Sequence, residues 1–511
     1  MEDFPWFPFI VALCLCYLLK SVFNLFHQSS TNKLPPGPTN IPIITSLKWF
    51  RKGFSDLEPL LRDLHSKYGP IISLNIGKRK AIFIANHYLA HKALITHGAA
   101  FADRPPAPIA SRFLSSNQHN INSAGYGPLW RLLRRNLTSE ILHPSRVKSY
   151  GHARKWVFDI LKTNLKDEAD SGRSVFVMQH FQYAMFCLLV LMCFGEKLDD
   201  NKIREIEKCQ RDLLLNFTGF NILNFFPRLG KILFRKKWNL VHKLRSNQER
   251  VLLPLIQARR EKKNEDDSTS SFGVAYVDTL LDLSIPEEEG GKTKLNDEEI
   301  VVLCSEFLNA GTDTTSTALQ WIMANLVKNQ NVQVKLFEEI KGVATSVGEI
   351  KEEDLQNLPY LKSVVLEGLR RHPPGHFVLP HAVTDDVQLD GYVIPKDATI
   401  NFMVGEMGRD PKVWEDPMEF KPERFLNSNG EVFDITGSKE IRMMPFGAGR
   451  RICPGIGLAM LHLEYFVANL VREFEWTAET GDDVDLSETQ QFTIVMKNPL
   501  RAHISPRQGL L

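Results

Sequence analysis

Residues 4–26 are apolar almost throughout, with Lys20 and a few small polar residues as exceptions. At about 1.5 Å of rise per helical residue, a run of this length spans the hydrocarbon core of a bilayer. A cleaved signal peptide and a buried helix are the alternatives. A signal peptide wants a basic start and a small-residue cleavage site, whereas this chain begins Glu2-Asp3 and leaves the span as Phe26-His27-Gln28. Positive charge comes late (Lys20, Lys33) and none precedes the span. That asymmetry predicts an uncleaved anchor over 1–30 with the bulk of the chain cytosolic. Leu34-Pro35-Pro36-Gly37-Pro38 follows. It cannot continue a helix, so residues 31–45 read as a stiff hinge between the anchor and the rest.

Beyond the hinge the pattern is mainly helical. Apolar positions recur at helical spacing over 128–165, 175–195, 201–217, 235–265 and 297–328. Another helix is predicted from about 456 to 473. Asn296 with Glu299 three residues on forms a capping-box pattern that starts the 297–328 helix. Short strands are expected at 71–75 and 81–85, around Gly77-Lys78-Arg79. The polar stretch 261–294 reads as a solvated connection. No internal repeat or clean boundary divides 46–511, which is therefore expected to be one domain.

The length of 511 residues would allow about three domains on size alone, so it is the pattern that favours one. Apolar residues make up 43% and charged residues 24%, which excludes a disordered, collagen-like or polytopic membrane chain. Lys+Arg of 62 against Asp+Glu of 60 leaves +2, so no nucleic-acid partner is expected. The seven cysteines, at 14, 16, 187, 193, 209, 304 and 453, are odd in number and include no CxxC. Disulfide and zinc scaffolds are disfavoured, and a reducing compartment is favoured.

The densest chemistry lies in Pro445-Phe446-Gly447-Ala448-Gly449-Arg450-Arg451-Ile452-Cys453-Pro454-Gly455. A lone cysteine is usually a small buried apolar residue. Cys453 instead ends a glycine-rich loop directly before an apolar helix, whose N-terminus favours thiolate over thiol. Backbone N–H groups beyond the sulfur can donate to it. Gly449 and Gly455 let the backbone approach a flat, bulky ligand, and Arg451 can reach an anionic group at its edge. The loop resembles the cysteine-ligand loop of cytochrome P-450 enzymes, F-x-x-G-x-R-x-C-x-G. Phe446, Gly449, Arg451, Cys453 and Gly455 occupy all five fixed positions.

Three more segments carry the resemblance. Glu367-Gly368-Leu369-Arg370 is an E-x-x-R pair inside an apolar run, and Arg424 in Pro422-Glu423-Arg424-Phe425 stands where the family supplies a third member. The resemblance implies a structural triad that holds the cysteine loop. In Ala310-Gly311-Thr312-Asp313-Thr314-Thr315, Thr314 is four residues after Ala310. Its hydroxyl can bond the Ala310 carbonyl and open the helix for dioxygen and a water, while Asp313 can relay protons from solvent. In the family this acid–alcohol pair delivers the protons for O–O cleavage. Trp130 and Arg134 match W-x-x-x-R and share a helix face. With His381, they are placed by the resemblance at the haem propionates.

The resemblance spans nearly the whole chain and is most similar to plant microsomal members. It implies the cytochrome P-450 fold, mainly α with small β-sheets and haem b between two helices, with Cys453 as the axial thiolate. It implies a monooxygenase that uses dioxygen on a lipophilic small molecule. No dinucleotide-binding motif is present, so NADPH would act through a separate NADPH–cytochrome P-450 reductase, docking on basic residues such as Arg131 and Arg135. The implied location is the endoplasmic reticulum membrane, single-pass. By analogy the substrate pocket takes Phe113, Phe217, Phe220, Phe377 and Phe492. Competing readings are an isomerase or lyase working without dioxygen, which the intact Asp313-Thr314 pair opposes, and a non-catalytic membrane haem protein. A secreted glycoprotein is a further alternative, from sequons at Asn136 and Asn216. It requires the opposite topology.

Overall fold

In a computed structural model of the chain, residues 34–38, 54–76, 79–217, 219–220, 223, 230–264, 273–286, 291–343, 349–426, 433–479 and 484–507 are described. The expected anchor and most of the hinge lie outside them. The helices that build the site are numbered α1 (Pro128–Asn136), α2 (Gly151–Asp170), α3 (Val177–Phe194), α4 (Asp200–Phe217), α5 (Arg235–Asn264), α6 (Asp297–Lys328), α7 (Pro359–Arg371) and α8 (Ile456–Glu473).

From Ala184 onward helix α3 is apolar on every face, and such a helix must be buried. Its composition would allow it to cross a membrane, yet 83% of it is buried within the protein. It packs along α2 and α6 and ends at Gly195, whose φ of 74° forms a left-handed cap. The predicted capping box at α6 forms in full: Glu299 N–H donates to Asn296 Oδ1 at 2.9 Å and Asn296 N–H to Glu299 Oε2 at 2.9 Å.

Two sequence expectations change. The single helix expected over 128–165 is broken, with separate helices at Pro144–Ser149 and Gly151–Asp170. Pro144 has no N–H to continue a helix, and the His143 ring caps the new one by accepting from Ser145 N–H. Within 261–294, Tyr276–Leu281 is a helix with Tyr276, Val277 and Leu280 buried, so this part is core rather than solvated connection. A periodic run of six residues was too short to stand out among charges.

The strands predicted near 71 and 81 form an antiparallel pair, β1 (Ile71–Ile76) and β2 (Arg79–Ile84), with Ile71 opposite Ile84. With β3 (His381–Ala382) and β4 (Thr399–Phe402) they make a sheet in the order β1-β2-β4-β3. β2 runs parallel to β4, and β3 pairs antiparallel with β4, setting His381 opposite Ile400. A second pair, Glu488–Gln490 with Ile494–Met496, is pinned to α6, because buried Trp321 donates its indole N–H to Ile494 O at 2.8 Å.

Candidate active site

From Glu299 to Val327, α6 is buried at every position except Glu306, Ala310, Gly311 and Thr314. Those four fall at i, i+4, i+5 and i+8, so they form one stripe on one helix face. The helix stays α-helical through the glycine–threonine segment. The Thr314 hydroxyl donates to Ala310 O at 2.7 Å as expected, but no opening of the helix accompanies it. Gly311 owes its place to packing, since a Cβ there would fall 2.3 Å from Leu189 Cδ1 on α3.

Asp313 lies beside the stripe and is almost wholly buried. Arg211 of α4 donates to one of its oxygens at 3.3 Å and the Thr493 hydroxyl to the other at 3.1 Å. Burial raises the Asp313 carboxyl, and Arg211 and Thr493 work against that rise. Neither Arg211 nor Thr493 was anticipated, because both are distant in sequence and nothing local marks them.

The cysteine loop is held by Cys453 N–H donating to Phe446 O at 2.9 Å. Burial pushes the Cys453 thiol up, while the Gly455 N–H and the Arg134 guanidinium draw it back. Gly449 has φ 69°, and a Cβ there would lie 2.0 Å from the Leu94 carbonyl oxygen. Its glycine therefore serves close packing of the loop on backbone. A Cβ on Gly455 would meet only the Cys453 sulfur, at 3.9 Å.

Trp130 and Arg134 do share a face of α1, with the guanidinium 6.0 Å from the indole centroid. Trp130 is buried, and its indole N–H has no partner. Burial lowers the Arg134 pKa, and the charge opposing that fall is the Cys453 sulfur. Arg451 stacks on the Trp130 ring at 4.3 Å. Its own donors go to carbonyls, Ala102 O at 2.7 Å, Ala124 O at 2.6 Å and Ile121 O at 3.3 Å. Arg451 thus clamps the 102–124 segment. His381 faces Phe101 O through Nδ1 at 2.6 Å, and burial, followed by Arg104, lowers its pKa to about 3. Arg104 was not foreseen. It donates to Asn122 O, Leu379 O and Pro380 O, and burial brings it down to about 9.

Ile121 ties the two halves of the site together. Its carbonyl accepts from Arg451, two residues before Cys453, and its N–H donates to Glu306 at 2.9 Å on the α6 stripe. Ile121 thereby links the α6 stripe to the segment that Arg451 of the cysteine loop holds. An indole N–H without an acceptor, the half-buried Arg134 guanidinium near Cys453 and a half-buried sulfur fit a flat group with anionic edge substituents and a metal that takes thiolate.

Glu367 and Arg370 are fully buried and paired twice, at 2.6 and 2.8 Å. Arg424 donates to Glu367 at 3.1 Å, and Lys421 N–H adds a bond at 2.9 Å. Arg370 also donates to Gly408 O at 2.6 Å and Pro417 O at 2.9 Å. Its guanidinium lies 5.4 Å from the Trp414 ring, whose indole donates to Arg442 O at 3.2 Å, four residues before Phe446. The expected triad is brought together with a physical route to the cysteine loop.

The five aromatic residues expected in the substrate pocket are dispersed. Phe492 is exposed beside Thr493, next to Asp313. Phe113 packs against His242 and Trp238 in an outer groove, with ring centroids 4.6 and 6.0 Å away. Phe220 is core with Ala110, Leu114 and Val241. Phe377 packs edge-on to Phe83 beside β2. Phe217 ends α4. Asn136 of the first sequon is buried and donates to Thr279 Oγ1 at 2.9 Å, which leaves no room for a glycan on the folded chain.

The mainly helical fold, with this cysteine loop facing this helix, defines a haem-thiolate protein. A family model described as Cytochrome P450 matches residues 35–505, and the chain belongs to that family. It is accordingly a haem-thiolate monooxygenase, an oxidoreductase whose haem iron is ligated by a cysteine thiolate. The chain is 53% identical to Cytochrome P450 89A9 of Arabidopsis thaliana, over 98% of this chain and 99% of the relative. It is 33% identical to salviol synthase of Salvia pomifera, over 94% of each. It is 30% identical to 5-epiaristolochene 1,3-dihydroxylase of Nicotiana tabacum, over 99% of each. A zebra fish cytochrome P450 solved with progesterone superposes with a TM-score of 0.75 at 22% identity. That match covers 88% of this chain and 99% of the other, and it shows the fold.

Proposed function

We propose that Cys453 supplies the thiolate, and that this site oxygenates a lipophilic small molecule in the space between the α6 stripe and the cysteine loop. The observation that carries the assignment is the stripe of Ala310, Gly311 and Thr314, joined to the cysteine loop through Ile121. Bound haem supplies the iron centre that, with thiolate behind it, activates dioxygen. Trp130 and Arg134 would hold its anionic edge, the first through its free N–H and the second by charge. His381, neutral at physiological pH and already tied to Phe101 O, would add a ring nitrogen there. Gly455 N–H, donating to the sulfur, would moderate its electron release. Phe446 and Arg451 fix the loop.

Thr314 spends its hydroxyl proton on Ala310 O, so its oxygen presents lone pairs to the cavity and can hold a water as acceptor. Asp313 is the preceding residue on the same turn, tied to half-buried Arg211. It is placed to take a proton from the Arg211 side and pass it toward that water. Glu367, Arg370 and Arg424 act through Trp414 on the loop and touch no reacting atom.

The remaining parts of the reading follow from sequence. Residues 1–30 anchor the chain in the endoplasmic reticulum membrane, 31–45 act as a hinge, and 46–511 form the cytosolic catalytic domain. Electrons come from NADPH through a reductase that docks near exposed Arg131 and Arg135 on the α1 side. Phe492, exposed beside Thr493 and so next to Asp313, gives the space an aromatic wall that suits a lipophilic substrate.

The test is product formation by the full chain with a plant reductase and NADPH in yeast microsomes, offered fractionated lipophilic plant extract. A product one oxygen heavier, absent with Cys453→Ser, is expected. A haem-loaded enzyme that altered nothing with NADPH but rearranged hydroperoxides without it would overturn the monooxygenase chemistry. Unchanged electron transfer after charge reversal at both Arg131 and Arg135 would overturn the docking site.

A further inference from the structure

Helix α6 presents a second organised face beside the accessible stripe. Asp313, Thr317 and Trp321 follow one another at intervals of four, so they lie on one side of the helix. Each meets the 488–496 hairpin. Trp321 donates to Ile494 O at 2.8 Å, the Thr317 and Thr493 hydroxyls are 3.0 Å apart, and Thr493 donates to Asp313 Oδ2 at 3.1 Å. The other strand of the hairpin is held as well. His372 stacks on Trp321 with ring centroids 3.9 Å apart and planes within 1° of parallel. It shares a hydrogen bond with Glu488 at 2.8 Å, and Arg409 donates to Glu488 at 3.1 Å. Ile494 N–H donates to Pro374 O at 2.8 Å, so Thr493 directly precedes an anchored residue.

Thr317 behaves unlike its neighbours. Thr314 and Ser316 each spend their hydroxyl proton on the carbonyl four residues back, both at 2.7 Å, as helical hydroxyls commonly do. Thr317 turns to Thr493 instead. An ionised Asp313 only accepts, so the Thr493 proton goes to Oδ2 and Thr317 donates to Thr493. Two buried hydroxyls then point one way and end on one oxygen, and each bond polarises the next. Arg211 donates to Oδ1 at 3.3 Å. Among the described residues it is the charge that bears on Asp313, and Glu207, one turn before it on α4, draws on the same guanidinium.

We propose that Thr493 is a positioning residue for proton delivery: backed by Thr317, its hydroxyl holds Oδ2 of Asp313, so that Oδ1, on the Arg211 side, is the oxygen that gains and gives up the proton. The proposal deepens the monooxygenase reading and rests on it. A proton arriving on Oδ2 would displace the Thr493 hydroxyl and force Thr317 to turn as well. On Oδ1 it disturbs only the longer bond to Arg211. Packing alone does not ask for the hydroxyl, because valine has nearly the shape of threonine. In this role Thr493 acts through Asp313 and touches no reacting atom.

The test uses the haem-loaded full chain in lipid nanodiscs with a plant reductase and NADPH. Two readings come from turnover: hydrogen peroxide formed per dioxygen consumed, and the effect of heavy water on dioxygen consumption. The third needs no turnover: the infrared carboxyl band of Asp313 as pH is varied, assigned by its loss in Asp313→Asn. Thr493→Val should raise the peroxide share and the isotope effect and slow consumption roughly ten-fold, the scale of one lost bond to a charged group. The carboxyl band should then reach half-height at a higher pH, because a donor to the ionised form is gone. Thr493→Ser, which keeps the hydroxyl, should restore all of these. Thr317→Val alters no hairpin residue and should move each reading the same way by less; it carries the test if Thr493→Val fails to load haem. A purely structural role predicts the opposite order, with Val near the unaltered protein and Ser displaced, because serine loses the packed methyl. That order, or variants equal to the unaltered chain, overturns the proposal. Asp313→Asn separates the two levels. If it too leaves the peroxide share and isotope effect unchanged, the proton-delivery reading beneath falls; if it alters them while Thr493→Val does not, this inference alone falls.

Discussion

The buried Glu367–Arg370 pair permits a calculation from structure. Glu367→Leu removes both carboxylate oxygens, which together accept four bonds, from Arg370 twice, Arg424 and Lys421 N–H. Arg370 stays fully buried. Its carbonyl partners Gly408 and Pro417 remain, but they carry no compensating charge. Removing one partner of a buried pair costs about 3–5 kcal/mol. A domain stable by about 5–15 kcal/mol loses a large share of its margin. The equilibrium between folded and unfolded chain shifts by roughly two to four orders of magnitude at 1.4 kcal/mol per decade. The assay is urea unfolding followed by tryptophan fluorescence, with haem content measured in parallel. The partner variant Arg370→Met and the double variant complete a cycle. The double variant should be less destabilised than the two singles added together, because the fully buried Arg370 charge is no longer left without its partner. A Glu367→Leu protein within about 1 kcal/mol of the unaltered chain, with full haem, would refute the argument. Strict additivity would refute the pairing as its cause.

Three other outcomes are expected. Gly449→Ala places a Cβ on the Leu94 carbonyl oxygen and forces a left-handed backbone at φ 69°; the conformation alone costs about 1–2 kcal/mol. Haem occupancy should fall sharply, and normal occupancy would show that the loop shifts freely. Trp130→Phe keeps the ring under Arg451 and deletes the unpartnered N–H, so haem should dissociate about ten-fold faster into a haem-scavenging globin with little change in unfolding midpoint; an unchanged rate would remove the indole from haem binding. His462 is buried, its Nε2 lacks a partner, and burial lowers its pKa to about 3 from an ordinary 6.5. Between those values the unfolded chain binds the extra proton, so this contribution is intact above pH 6.5 and lost as pH falls. His462→Leu should lessen the stability lost between pH 7 and pH 5 in urea titrations, and an identical loss in both proteins would refute the assignment.

Local chemistry made the long helices legible. The Asn296–Glu299 box, the apolar run of α3 and the glycine–cysteine loop each carry their signal within a few residues. The cysteine, the E-x-x-R pair and the Trp130/Arg134 face were readable because their spacing is set by one loop or one helical turn. The break at Pro144 was readable in principle, but the apolar periodicity on both sides masked it.

Interactions between segments far apart in sequence were decided only when the chain folded. Arg211 and Thr493 meet Asp313 from 102 and 180 residues away, and no local pattern announces such a meeting. Arg451 reads as a ligand for an anionic edge, and the approach of 102–124 adds a second use that nothing local announces, taking three of its five N–H donors to carbonyls. Phe113, Phe220 and Phe377 show why hydrophobicity alone does not locate a cavity: an apolar side chain is equally satisfied by core or by a neighbouring ring, and packing chooses. Glu306 is the converse case: in sequence it is one acid in a helical run, and only the fold brings it the Ile121 and Asn122 N–H groups from 185 and 184 residues away.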